Sequence, residues 1–351
     1  MRVLLIKTSS MGDIIHTLPA LTDASRAIPH MTFDWVVEEP FADIPGWHQA
    51  VDKIIPVALR RWRKGIFSKE SRTGWRQLRK QLHEQKYDLI LDAQGLVKSA
   101  LLTFLASGVR AGLDFGSARE SLASFAYQRK LNVNFYQHAI LRQRHLFSLA
   151  LGYPMPETLP DYGLTHQAFS SPTPDENYLV FLFGTTWGSK QWPESYWSEL
   201  AKLAEIAGYR VKISGYSTEE MEQAARIGKG CAVDILPRMD IKAMAGLLAN
   251  AKAVVAVDTG FAHLAAALDV PTVSIYGSTN PAYTGAQGKF SRHLAADFPC
   301  SPCFNRKCTY RKASPVTPAC YTTVSPARVW GSVKDLVSVH GGQEKGFIFR
   351  D

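Results

Sequence analysis

Two runs of short apolar segments, each segment followed by a loop and a helical pattern, constrain this chain more than any other feature of its sequence. The first run is Val3 to Ile6, Phe33 to Val37, Lys53 to Pro56 and Leu89 to Asp92. The second is Tyr178 to Phe183, Arg210 to Ser214, Ala232 to Ile235, Ala253 to Val257 and Thr272 to Ile275, with helical stretches such as Ser195 to Ala207 and Ile241 to Asn250 between them. Strands alternating with helices at this spacing predict parallel, doubly wound α/β sheets. Between the runs, Pro154, Pro156, Pro160, Pro172 and Pro174 fall in a stretch with little periodicity, the composition of a linker. The expected order is a domain over residues 1–160, a linker over 161–176, a second domain over 177–324, a helix over 325–340 and a poorly ordered tail over 341–351. Ser325 and Pro326 supply the start signal of that helix, and Val329, Val333 and Leu336 its apolar stripe.

With 351 residues and 46% hydrophobic content the chain can bury two ordinary cores. Two tandem domains with a cleft between them suit an enzyme that holds one substrate on each. No run approaches the roughly 20 apolar residues needed to span a bilayer, and Lys7 cuts the N-terminal run too early for a signal peptide, so the expected location is the cytoplasm. The net charge of +9 is concentrated: Arg60 to Lys86 holds ten Lys/Arg against Glu70 and Glu84. Trp62, Phe67 and Trp75 are interleaved with these cations, as where a basic surface meets anionic lipid headgroups or nucleic acid. The plainer alternative is a solvated helix face with a few anchoring aromatics. The dense run Arg60-Arg61-Trp62-Arg63-Lys64 reads as preceding a helix instead of filling one.

The candidate chemistry lies in loops that follow strands, where open α/β sheets place their ligands. After Arg2 to Lys7, the turn Thr8-Ser9-Ser10-Met11-Gly12 delivers Asp13, with His16 on the same helix face. Asp13 is either a helix N-cap or a reactive carboxylate beside a glycine that admits a ligand. Pro19 limits the helix, so the segment Asp13 to Leu18 is expected to form a turn of its own. In the second run, Asp258-Thr259-Gly260 opens a helix whose first amides would face an anion, with His263 one turn in. Asp258 and Thr259 could equally just cap that helix. Gly184 to Pro193 has the hydroxyls and single lysine of a phosphate loop without Walker spacing, and Ser214 to Glu220 offers a carboxylate for sugar hydroxyls. Together the three loops argue for a nucleoside diphosphate. No G-x-G-x-x-G follows the first strand, which argues against a dinucleotide oxidoreductase.

Lys7-Thr8-Ser9-Ser10-Met11-Gly12-Asp13, continued by His16-Thr17-Leu18-Pro19-Ala20-Leu21, resembles the opening of the ADP-heptose:lipopolysaccharide heptosyltransferases, and among them the type I branch. The resemblance implies a GT-B fold of two Rossmann-like domains and an inverting, metal-independent transfer of heptose from ADP-heptose to the Kdo of Kdo-lipid A, with no cofactor. It implies Asp13 as general base, Thr185, Thr186 and Lys190 as the diphosphate loop, and Glu219 for the ribose, a role open to Glu220 as well. Met239 falls where the adenine packs, and Asp258, Thr259, Gly260 and His263 match the sugar-nucleotide motif. Arg60, Arg61, Arg63, Lys64 and Arg119 match positions that meet acceptor phosphates and carboxylates. The implied setting is peripheral, on the cytoplasmic face of the inner membrane, with no nucleic acid partner.

A free Asp has a pKa of about 3.9, so a base at position 13 either has its pKa raised by burial or takes the proton late, once the hydroxyl has become acidic. Cys300, Cys303, Cys308 and Cys320 form a spacing able to ligate a structural metal, although the implied catalysis needs none. Two other classes stay open on sequence: a nucleotide-sugar epimerase on the same scaffold, and a non-enzymatic membrane or nucleic-acid binding protein using Arg60 to Lys86. A later core heptosyltransferase, such as type II, is the nearer alternative.

Overall fold

A computed structural model describes residues 1–65, 67–169 and 177–347, which form two compact units, Met1–Leu164 and Thr165–Asp351. Unit 1 holds a parallel sheet of β1 (Arg2–Ile6), β2 (Thr32–Glu38), β3 (Val51–Val57), β4 (Lys86–Asp92), β5 (Ser107–Leu113) and β6 (Arg129–Leu131), in the order β3-β2-β1-β4-β5-β6. Unit 2 repeats the design with β7 (Tyr178–Leu182), β8 (Arg210–Ser214), β9 (Val233–Leu236), β10 (Ala253–Val257), β11 (Thr272–Tyr276) and β12 (Ser291–Ala295), ordered β12-β11-β10-β7-β8-β9. Three of these, β5, β6 and β12, were not expected from sequence. Each lies at or beside a sheet edge and carries exposed or half-exposed positions, β6 having no fully buried one, so none reads as a continuous apolar run.

In unit 1, Leu4, Ile6, Val36, Ile55, Val57 and Ile90 pack under Leu78 and Leu82 of helix Lys69–His83. Trp62 completes that cluster, which corrects the reading of its segment: Leu59–Lys64 is itself a helix, with Trp62 pointing into the core and its ring against Gly74. Unit 2 buries Trp197 against Phe181 and Trp192, with ring centroids at 5.2 and 5.0 Å.

The first unit ends beyond the expected residue 160, because residues 161–164 pack back onto it. Asp161 pairs with Arg26, and Gly163, at φ +63°, lies against the ring of His48. Residues 170–176 of the expected linker lie outside the described residues. The last helix, Pro326–Phe347, runs on past residue 340 into the expected tail. Gly341 and Gly342 weaken a helix but do not stop it, and Gln343, Glu344 and Lys345 favour it; residues 348–351 lie outside the described residues.

His48 makes this packing sensitive to pH. Its Nδ1 accepts the Ala50 amide at 3.1 Å and its Nε2 meets the Thr22 hydroxyl at 2.9 Å, so the neutral ring is satisfied. Burial pushes its pKa from 6.5 down to about 4, with Asp161 opposing weakly. The unfolded chain therefore binds the proton first. Stability of unit 1 is complete above pH 6.5 and falls by about 3 kcal/mol as pH drops to 4. Denaturant melts of wild type and His48→Gln across that window check this; the variant loses the slope.

Candidate active site

Both sheets change winding direction at their first strand, where doubly wound folds bind ligands. In unit 1 that point lies between β1 and β4, and the loops leaving those strands are tied together. Lys7 is buried, and its Nζ donates to Ala93 O at 3.0 Å. The amide and hydroxyl of Thr8 both donate to Gln94 Oε1, at 2.7 and 2.8 Å, while Gln94 Nε2 returns to Ser9 O at 3.1 Å. Asp92 holds the second loop in turn, accepting the Gln94 and Gly95 amides and the Ser99 and Tyr127 hydroxyls.

Asp13 is not an N-cap. Ser10 caps the short helix Met11–Ile15, and Asp13, in its first turn, reaches back so that Oδ2 accepts the Ser10 amide at 2.9 Å and hydroxyl at 2.8 Å. This capping box holds the carboxylate still and leaves Oδ1 for another donor. The helix ends after one turn, and Pro19 sits in the first turn of the next, Leu18–Ala27. Burial works to raise the Asp13 pKa, but the Lys7 ammonium, the two Ser10 bonds and the Arg119 guanidinium outweigh it and hold it below the usual value. Lys7 is shifted down by its own burial, against the pull of Asp13 and Asp92. Of the two expectations for Asp13, the structure therefore fits an ionised carboxylate.

Sequence reasoning missed Arg142, on helix Ala139–Leu151. Its charge is felt by Lys7, it feels Asp13 and Arg119, its guanidinium lies over the Phe135 ring, and its buried Nε makes no hydrogen bond among the described residues. On a helix it reads as one more surface cation; only the fold turns it inward. Arg119, in the loop after β5, joins the same electrostatic cluster. Arg60, in the first turn of helix Leu59–Lys64, meets the Glu38 carboxylate, and the Glu38 amide donates to Thr8 O at 3.1 Å. Arg61 is committed elsewhere, to Glu39 at 3.0 Å and Glu70 at 2.5 Å, while Arg63 and Lys64 are exposed.

In unit 2 the winding changes between β7 and β10. Lys190, on the loop after β7, places Nζ 2.7 Å from Asp258 Oδ2 and 4.6 Å from the Trp187 ring centre. Asp258 Oδ2 also accepts the Thr279 hydroxyl at 2.7 Å, and Thr185 donates to Asp258 O at 3.4 Å. Neither Asp258 nor Thr259 caps helix Gly260–Ala267: Thr259 is at the N-cap position but its side chain makes no capping bond. The first amides of that helix thus stand beside a lysine, with Thr186 exposed on the neighbouring loop and His263 buried one turn in. Thr279 carried no sequence signal, because it acts through Asp258.

Glu219 and Glu220 are distinguished by their partners. Glu219 bonds Ser217 and its own amide at the surface, which lowers its pKa. Glu220 accepts the Tyr216 amide at 2.7 Å and lies against Gly184, at the start of the loop that carries Thr185, Thr186 and Lys190. Met239 is half-buried in the loop after β9, and next to it the Arg238 guanidinium stacks 3.8 Å from the Tyr216 ring centre, a pair not expected from sequence. Cys320 is buried and its thiol is pushed up to about 12, first by burial and then by the charges of Cys300, Cys308 and Cys303. Among the described residues no three His, Cys, Asp or Glu side chains are disposed to hold a metal, and no helix is long and apolar enough to cross a membrane.

The profile of glycosyltransferase family 9 (heptosyltransferase) matches residues 75–314. Lipopolysaccharide heptosyltransferase 1 of Pseudomonas aeruginosa is 52% identical over 340 residues, covering 94% of this chain and 96% of that protein. The Escherichia coli protein of the same name is 51% identical over 292 residues, covering 82% and 92%. The solved structure of E. coli heptosyltransferase WaaC with ADP-2-deoxy-2-fluoro heptose superposes with a TM-score of 0.81 at 44% identity, covering 95% of this chain and 99% of that one. Two parallel six-stranded sheets, each with its polar loops at the switch point, and identity at this level over nearly the full length leave one assignment: the chain belongs to glycosyltransferase family 9, the heptosyltransferases, and has their GT-B fold.

Proposed function

We propose that the chain transfers L-glycero-D-manno-heptose from ADP-heptose to the Kdo of Kdo-lipid A, with inversion, in assembly of the lipopolysaccharide inner core. The observation that carries this reading is the Lys190–Asp258 contact at the uncapped start of helix Gly260–Ala267. A cation and free helix amides at one point suit a diphosphate both as bound ligand and as leaving group. Thr185, Thr186 and Thr259 add hydroxyls, the carboxylate of Glu219 or Glu220 takes ribose hydroxyls, and Met239 packs on the adenine. Glu220 is favoured for the ribose by its place against Gly184.

Unit 1 supplies the other half of the chemistry. The acceptor hydroxyl attacks the anomeric carbon as the bond to the diphosphate breaks, and the proton passes to Asp13 Oδ1. A carboxylate held low by Lys7 and Arg119 is a weak base, so it takes the proton late, when the attacking oxygen already carries positive charge. Arg119, Arg142 and Arg60 supply cations for the acceptor's carboxylate and phosphates. Because that acceptor is a lipid, the enzyme works at the cytoplasmic leaflet of the inner membrane, held there peripherally.

Incubation with Kdo-lipid A and ADP-heptose is expected to release ADP with both present and not with either alone. UDP- and GDP-sugars are expected to give no transfer. Absence of ADP release, or equal use of the other nucleotides, would sink the reading.

A further inference from the structure

We propose that unit 1 docks on anionic phospholipid bilayers through an apolar ridge formed by helix Val97–Leu102, the turn that extends it, and the 3-10 turn Ser121–Ala126. The inner sides of these elements close over a small core of Ala100, Ala123 and Tyr127. Their outer sides carry Leu101, Phe104, Leu122 and Phe125, which are 61, 54, 68 and 70% exposed. The four are joined. Leu101 and Phe104 are three residues apart on one side of their segment, and so are Leu122 and Phe125 on theirs. Arg110 bridges the two: its guanidinium lies 4.6 Å from the Phe104 ring centre, and its Nε donates to Ala126 O at 2.9 Å. Phe115, also exposed, meets Phe125 edge to face at 6.3 Å. Single exposed apolar side chains are ordinary, whereas a contiguous ridge marks an interaction surface.

Charge selects the occupant. Residues 97–131 contain Lys98, Arg110, Arg119, Arg129 and Lys130 against Asp114 and Glu120. Asp114 is taken by Ser117 and Asn132, and Glu120 accepts the Val97 amide. The Lys130 ammonium sits 5.6 Å from the Phe125 ring centre. Apolar and aromatic side chains set among cations match a membrane surface, with acyl chains below and phosphates at headgroup level. A second copy of the chain would bring like charges together across a two-fold axis. The ridge is also better suited than the Arg60–Lys86 segment, where Trp62 is spent on the core and Arg61 on Glu39 and Glu70. The inference rests on the proposed function only for its purpose, which is to hold the enzyme where a lipid acceptor lies.

The full-length protein is sedimented with vesicles of phosphatidylethanolamine and phosphatidylglycerol, and with phosphatidylcholine alone. Joint Leu122→Ser and Phe125→Ser substitution is expected to weaken binding to the anionic vesicles by about tenfold or more. Ile206→Ser, at an 83% exposed site in unit 2, leaves it unchanged. Lys130→Ala weakens it by about fivefold at low salt, an effect that added salt erases. Transfer to a de-acylated, water-soluble acceptor stays at the wild-type rate in all three variants, which verifies their folding; its failure in wild type faults the functional reading and not the ridge. Undiminished vesicle binding by the Leu122/Phe125 variant overturns the inference, as does absence of binding by wild type. A wild-type dimer that this variant splits would also overturn it, by making the ridge a subunit contact.

Discussion

Asp13→Asn is expected to lower the transfer rate by about 10³-fold, the scale of a lost general base, while leaving ADP affinity within the error of the measurement. The separation of the two effects follows from the fold: the groups proposed to hold the diphosphate all lie in unit 2 and Asp13 in unit 1. The amide of the variant still offers an oxygen to Ser10, so the capping box survives and the loss is not one of folding. Thermal melting of the variant verifies this. The pH profile supplies a second check. Because Lys7, Ser10 and Arg119 together hold Asp13 below the ordinary carboxylate value against the effect of burial, the acid limb it causes lies below about pH 3.9, and the rate does not fall through Asp13 between pH 7 and 5. Near-wild-type turnover in the variant would remove Asp13 from the mechanism.

The second large effect belongs to Lys190. Lys190→Ala removes the cation at the start of helix Gly260–Ala267 and leaves the Asp258 carboxylate facing the incoming diphosphate, so attraction is lost and repulsion gained together. Calorimetry is expected to give ADP binding weaker by roughly 100-fold, about 2.7 kcal/mol. The rate should fall further than the binding, because the leaving diphosphate gains charge as the bond breaks. Lys190→Arg keeps the charge and is expected to recover part of both. Unchanged ADP affinity in the alanine variant would end the diphosphate role.

Much of this was legible in the residues. Strands buried on both faces, such as Val3 to Ile6 and Ala253 to Val257, announce themselves as apolar runs, and the loops after them carried Asp13, Lys190 and Asp258. Edge strands such as β6, Arg129–Leu131, bury too little to leave that signal. What the sequence could not give was pairing across the sheet. Nothing in the order of residues links Lys7 to Ala93, Thr8 to Gln94 or Asp258 to Thr279, since each pair meets only when parallel strands align. The same limit hid Arg142 and decided the capping question, where Ser10 and not Asp13 starts the helix. The basic segment misled for a different reason: one tryptophan in it, Trp62, is core, and that anchors a helix where a loop was expected.

In the proposed reaction, the contact between Lys190 and Asp258 bears on how ADP leaves. In a pocket whose cation had no other partner, departing ADP would strand a charge at a half-buried position, and release would be slow. Here the carboxylate of Asp258 acts as a resident counter-ion, supported by Thr279, ready to take back the lysine as the diphosphate withdraws. With Lys190 in the proposed diphosphate role, ligand entry and exit become an exchange of one anion for another on the same cation. An enzyme that must discharge a nucleotide after every sugar is served by a site whose empty form is already neutralised.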